Sequence, residues 1–247
     1  FYDRTRGLPA SAAARVTQLL ARELAGRGRG LEIGVGTGRI AWPLHEAGIP
    51  MAGIDLSLPM MRVLVDKAGG RVPFPLAQAD ATRLPFPNDQ FGAAVASHVF
   101  HLIPEWRDAL AEVIRVVRPG GLVLSSRGGV RREGAIGAVH VEYRSRLGHG
   151  TDHIGAAHDS REVEATLVGL GAQERPLPTV HATGTITVGA VIDSLEAGEW
   201  SWAWGFPDEQ RRAAGTETRE WARARFGPLD ESVALESEVR WQAFDLP

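Results

Sequence analysis

The chain has 247 residues, 44% hydrophobic and 23% charged, the balance of an ordinary globular protein, and its length suits one large domain or a domain with an elaborated cap. A net charge of −3 provides no global basic field for nucleic acid, and the absence of cysteine excludes disulfides and thiolate metal sites and suits a reducing, cytoplasmic setting. No apolar run approaches the roughly 18 residues that cross a membrane.

Residues 11–25, "SAAARVTQLLARELA", carry a helical period and strong helix formers, and Gly26, Gly28 and Gly30 stop them. "LEIGV" is a short buried strand, after which Thr37 is expected to cap a helix running to about Glu46. "MAGID" is a second strand ending in an acid. Ser57 opens the next helix, with Pro59 in its first turn, where proline is tolerated. "VPFPLAQAD" reads as a proline-rich strand at a sheet edge, "FGAAVASHV" as a small-residue buried strand, and Pro104 to Arg118 as an amphipathic helix stopped by "RPGG". "GLVLSS" completes a strand–helix alternation from Gly30 to Ser126, the pattern of a parallel sheet wrapped by helices.

Beyond Ser126 the alternation breaks. Residues 131–148 and "REVEATLVGLG" read as helices, "LGHGTDHIGAAHDS" as a loop, and "ERPLPTVHATGTIT" and "VALESEVRWQAFDL" as strands. The segment between these strands, residues 187–228, has a mostly helical pattern and holds Trp200, Trp202, Trp204 and Trp221. The expected organisation is one domain formed by residues 1–186 and 229–247, with 187–228 as a helical cap that carries substrate contacts.

The turn "LEIGVGTGRI" is the most informative stretch. Glycine lets the backbone approach a ligand closely, and a strand running into a helix start offers free N–H groups. A dinucleotide cradle needs its third glycine at position 39, which is Arg39; here it is Gly38, after Gly34 and Gly36. Glu32 beside the turn repels phosphate and attracts an ammonium group.

The turn resembles the first motif of class I S-adenosylmethionine-dependent methyltransferases, E/D-x-G-x-G-x-G. "GIDLSLPMM", "AQADATRLPFPNDQF", "VASHVFHLIPEW" and "RVVRPGGLVLSS" resemble the later motifs in order, in the subgroup similar to ubiquinone/menaquinone-biosynthesis (type 11) methyltransferases. The resemblance covers residues 1–126. It implies an α/β, Rossmann-like fold with a seven-stranded, mostly parallel sheet and helices on both faces. It also implies S-adenosylmethionine as donor. On that reading Asp55 takes the ribose diol, Leu56 and Met60 sandwich the adenine, and Asp80 and the Ala81 N–H meet its edge. Glu32 holds the turn or the amino group, Ser97 and His98 sit at the methionine half, and Tyr2 folds over the sulfonium as a cation–π partner.

Methyl transfer is an in-line displacement whose main requirement is alignment, so no base is obligatory. His98 and His101, just past the fourth strand at the carboxyl edge, are the candidate general bases; His140 and His181 are weaker ones. "HGTDHIGAAHD" clusters His149, His153 and His158 with Asp152 and Asp159, but its irregular intervals read as a polar loop rather than a metal site. "EWSWAW" in extended form puts three tryptophans on one side, either as cap core or as an apolar or aromatic substrate face. The arginine pairs at 131–132 and 211–212 read as solvated helix faces. The expected acceptor is a small molecule, with no nucleic-acid partner. The alternatives are an RNA methyltransferase and a cofactor-binding scaffold without catalysis.

Overall fold

A computed structural model describes residues 8–130, 134–148 and 160–247. Tyr2, Arg131, Arg132 and the cluster from His149 to Asp159 lie outside them. The elements are α1 (Ala10–Leu24), β1 (Gly30–Ile33), α2 (Ala41–Glu46), β2 (Met51–Asp55), α3 (Leu58–Lys67), β3 (Leu76–Gln78), β4 (Phe91–Ser97), α4 (Trp106–Val116), β5 (Val117–Val130), α5 (Gly134–Leu147), α6 (Ser160–Gly169), β6 (Gln173–Pro176), β7 (Val180–Thr187), α7 (Val188–Glu196), α8 (Asp208–Phe226) and β8 (Ser232–Asp245).

Seven strands run in the order β3-β2-β1-β4-β5-β8-β6, and β7 pairs with β8 off that path. The pairs β1–β2, β1–β4, β2–β3 and β4–β5 are parallel, and β6–β8 is antiparallel. Strand order therefore reverses direction at β1, whose neighbours are β2 and β4. In open α/β sheets the ligand crevice lies at the carboxyl ends of the strands at such a switch point.

The chain divides into two compact units. The described residues of the sheet unit are 10–128, 160–180 and 239–247. On one sheet face Leu31, Ile33, Ile54, Ala94, Ala96 and Val123 pack with Trp106, Leu110 and Val113 of α4 and Val163 and Leu167 of α6. Glu32, alternating to the other face, meets the start of α2, so helices cover both faces. The apolar residues of α1 recur as Ala12, Val16, Leu20 and Leu24, a single buried stripe. The unit's first helix and last strand are joined by ion pairs: Arg175 bonds Glu23 at 2.8 Å and reaches Asp245, which also pairs with Arg27 at 3.0 Å.

The helical unit draws its described residues from 8–9, 129–130, 134–148 and 181–238. It thus contains α5 as well as the 187–228 segment. Val139 and Tyr143 of α5 share a core with Ile192 and Leu195 of α7 and Ala214 and Ala222 of α8. The Tyr143 hydroxyl donates to the Arg211 carbonyl at 2.8 Å.

Four local expectations need correction. Thr37 does not cap a helix: α2 begins at Ala41, and its first free N–H is met by Glu32. "VPFPLAQAD" yields only the three residues of β3, because the prolines before Leu76 withhold ladder donors. "ERPLPTVHATGTIT" splits into β6 and β7 around Pro178. "EWSWAW" is not extended; Ser201–Ala203 form a 3₁₀ turn. That turn packs Trp200 and Trp202 against the helical core and leaves Trp204 49% exposed, its indole N–H bonded to Gly198 O.

Candidate functional site

The site is built on the strand ends at the switch point. All three motif glycines have left-handed backbones, with φ of 69°, 53° and 77° at Gly34, Gly36 and Gly38. They are glycine for different reasons. A Cβ at Gly38 would lie 2.3 Å from Leu64 Cδ1, so that position serves the packing of α3. A Cβ at Gly36 would instead enter the space between Met60 Cε (3.6 Å) and Asp55 Oδ2 (3.9 Å), a hollow that the turn leaves open.

Asp55 is clamped to this turn. Its Oδ2 accepts from Gly36 N–H at 2.7 Å and its Oδ1 from Ser57 N–H at 2.7 Å. A carboxylate has about four lone-pair sites, so acceptor capacity remains for a diol. Ser57 caps α3 by accepting from Met60 N–H, and Gln78 holds the intervening turn by donating to Leu56 O at 3.0 Å. Leu56 itself is 69% exposed, an apolar side chain beside a charged one, with half-buried Met60 nearby in sequence. Lys67, the only lysine, donates to Thr37 O at 2.8 Å and pins the glycine turn from α3.

Glu32 is buried and its Oε2 accepts from Ala41 N–H at 2.8 Å. Burial raises its pKa to about 8, against the opposing pull of that hydrogen bond, while nearby Asp55 adds to the rise. Its place is under the turn, holding the start of α2. Asp80 is exposed and forms a local Asx turn: Oδ1 accepts from the Thr82 N–H at 2.9 Å and hydroxyl at 2.8 Å. Those two bonds keep its pKa low. Oδ2 faces no protein donor among the described residues, and Ala81 beside it is buried.

His98 follows β4 with φ of 50°, a left-handed conformation uncommon for a residue with a side chain. The 3₁₀ turn Phe100–Leu102 then returns His101, whose ring centroid lies 6.5 Å from that of His98 at nearly a right angle. The structure thus brings Glu32, Gly34, Gly36, Gly38, Asp55, Leu56, Met60, Asp80, Ala81, Ser97, His98 and His101 into one unit, at the strand ends and the turns that leave them. His140 is in the helical unit, buried with its ring 4.7 Å from Trp200, and His181 is exposed there beside Glu238. No group of three metal-ligating side chains occurs among the described residues, and none of their helices is long and apolar enough to cross a membrane.

Sequence reading missed Gln78, Lys67 and the serine pair Ser97–Ser126. Ser97 and Ser126 are register partners on adjacent strands. Only strand pairing reveals that juxtaposition; the spacing of the two residues carries no signal.

Residues 31–125 match the family described as "Methyltransferase domain". The chain is similar to a phosphatidylethanolamine N-methyltransferase of Cereibacter sphaeroides, 34% identical over 51% of this chain and 64% of that one. It is also similar to a demethylmenaquinone methyltransferase of Renibacterium salmoninarum, 32% identical over 48% of each chain. It therefore spans less than two thirds of the length of these curated relatives. The crystal structure of the YcgJ protein from Bacillus subtilis shares the fold, with a TM-score of 0.61 at 18% identity, covering 95% of this chain and 99% of that one.

Proposed function

We propose that this chain, whose sheet unit belongs to the type 11 subgroup of class I S-adenosylmethionine-dependent methyltransferases, transfers a methyl group from that donor to a small-molecule acceptor. The observation that carries the reading is the clamp of Asp55 onto Gly36 at the switch point of the sheet. It presents a carboxylate with spare acceptor sites beside a turn that side chains do not fill.

The residues fit the donor. The hollow beside Gly36 is one that a Cβ would occupy, between a carboxylate and a thioether. Asp55 would hold the ribose hydroxyls, Leu56 and Met60 the faces of the adenine, and Asp80 Oδ2 and the Ala81 N–H its edge. Glu32 acts from beneath, fixing the turn through Ala41 rather than reaching the ligand. Ser97 and His98 lie where the amino-acid half would extend, and Tyr2 is assigned to the sulfonium by resemblance alone. When bound, S-adenosylmethionine supplies an electrophilic methyl group on a good leaving group. The chain's task is to align the acceptor and exclude water, worth roughly 7–11 kcal/mol in well-positioned systems. His98, with His101 as its neighbour, takes the proton of a protic acceptor, which adds about 10²–10⁴-fold.

The helical segment 187–228 is assigned to acceptor choice, and its aromatic content suits an apolar or aromatic compound. A net charge of −3 favours a small acceptor over RNA. A cytoplasmic setting belongs to the same reading and accords with a chain free of cysteine.

The test is calorimetric titration with S-adenosylmethionine and S-adenosylhomocysteine, where micromolar binding is expected. Transfer of labelled methyl to a panel of phenols, quinols, amines and RNA then follows. Absence of heat with both ligands overturns the reading; transfer to RNA alone overturns the choice of acceptor.

A further inference from the structure

Strand register aligns the site residues in a way their sequence positions conceal. The pairs Ile33↔Ile54, Ile33↔Ala96 and Ala96↔Ser125 form one row across the sheet, and Ile54 pairs with Ala77. One residue further, Asp55 pairs with Gln78 and Ser97 with Ser126, while β1 has reached Gly34. A polar row, Gln78–Asp55–Gly34–Ser97–Ser126, therefore crosses the sheet at the carboxyl ends of β3, β2, β1 and β4 and continues into β5. With strands about 4.8 Å apart, Ser97 lies roughly 10 Å and Ser126 roughly 14 Å from Asp55 along that row.

Ser126 is out of place by the logic of its strand. The preceding pairs on the same face, Ala93↔Leu122 and Val95↔Leu124, are aliphatic and buried. Ser126 is only 8% exposed, yet its hydroxyl oxygen is not among the side-chain atoms shut off from solvent, so it stays open to a ligand. Its register partner Ser97 adds a second hydroxyl on the same face, and the next residue of β4 is the left-handed His98. Strained backbone of this kind is characteristic of functional positions.

We propose that Ser126, together with Ser97, is the acceptor subsite: a pair of hydroxyls that receives the hydroxyl group of an alcohol- or phenol-type acceptor and sets it beside His98. This rests on the methyl-transfer reading above and deepens it by naming the substrate class. Three properties support an oxygen acceptor. A serine hydroxyl both donates and accepts, as the acceptor hydroxyl does. Residues 96–98, ending β4, and residues 125–126, within β5, hold two such hydroxyls in register and an imidazole, and none of these five residues carries a carboxylate. A hydroxyl keeps its proton at neutral pH and gains from a base, whereas a free amine attacks through its lone pair without one. The donor's ribose end lies at Asp55 and the acceptor at the far end of the same row.

The experiment measures binding, so it requires no turnover. The full chain is saturated with S-adenosylhomocysteine and titrated calorimetrically with naphthol, naphthylamine and naphthalene, which differ only in the polar group. Naphthol is expected to bind best. Ser126→Ala should weaken it at least threefold, Ser126→Thr should restore it, and naphthalene should not respond to either change. Thermal melting of both variants checks that they fold. Equal naphthol affinity in wild type and Ser126→Ala, or naphthylamine binding as tightly as naphthol with the same dependence on Ser126, overturns the inference and leaves methyl transfer standing. Failure of the wild type to bind S-adenosylhomocysteine overturns both.

Discussion

Gly36 N–H donates to the Asp55 carboxylate at 2.7 Å across a separation of 19 residues, tying the first glycine turn to the end of the second strand. The second Asp55 oxygen takes Ser57 N–H at the same distance, so one side chain fixes both walls of the candidate cofactor site. Asp55→Ala should lower affinity for S-adenosylmethionine at least tenfold by calorimetry. It should also lower the melting temperature, because hydrogen bonds to a charged group contribute about 1.5–3 kcal/mol each when well shielded, and less at this half-buried site. Asp55→Asn retains one acceptor oxygen and should fall between.

Gly38→Ala tests the packing half of the motif. The new methyl meets Leu64 at 2.3 Å, and the left-handed backbone adds roughly 1–2 kcal/mol of its own. Chemical denaturation should show a larger loss for Gly38→Ala than for Gly36→Ala, whose Cβ makes only ordinary van der Waals contacts, at 3.6 Å or more. Adding Leu64→Ala to Gly38→Ala should relieve the collision but leave the backbone cost, so the double variant does not regain wild-type stability.

Glu32 makes stability depend on pH. Its pKa rises from 4.5 to about 8 on folding, so the folded state binds a proton that the unfolded state has released between those values. Its contribution is greatest below pH 4.5, declines as pH rises, and is lost once pH passes about 8. Glu32→Gln keeps an oxygen for Ala41 N–H and carries no charge. Melting temperatures between pH 5.5 and 8.5 should therefore fall less steeply for the variant (about 1.4 kcal/mol per unit of pH is the ceiling for one group). Parallel curves would assign the burial of this acid no role in the pH response.

His98 separates backbone from chemistry. Asparagine tolerates a left-handed backbone, so His98→Asn should fold and melt like the wild type. Its methyl-transfer rate should fall by about 10²–10⁴ and lose the low-pH limb that an imidazole base produces. His98→Ala should show the same loss of rate together with reduced stability. An unchanged pH–rate profile in His98→Asn would transfer the role of base to another group.

Much of the sheet unit is legible because its signals are local. The glycine turn, the Ser57 cap with Pro59 behind it, and the buried runs at 31–35, 51–55 and 91–97 each declare themselves within a few residues. What escaped reading depends on distant partners. Thr37 looks like a cap, yet the donor at the start of α2 is met by Glu32 from inside β1. Ser126 looks like the tail of an apolar strand until register sets it beside Ser97. The tryptophans of "EWSWAW" alternate as a strand would, but the segment turns tightly and two of them close a helical core. Spacing in sequence reports neighbours along the chain; register and tertiary packing choose neighbours in space.

The place of β8 has a consequence for biosynthesis. Its final residues lie between β5 and β6, and Asp245 completes the ion pairs with Arg27 and Arg175. A nascent chain emerging from the ribosome therefore displays an unpaired edge on β5 until residues 239–245 arrive, long after the turns of the candidate site have been made. Through that interval an open, apolar strand is exposed to other chains, which is the condition under which aggregation competes with folding. Slow translation of residues 239–245, or their loss, should send this protein to chaperones rather than leave a folded sheet.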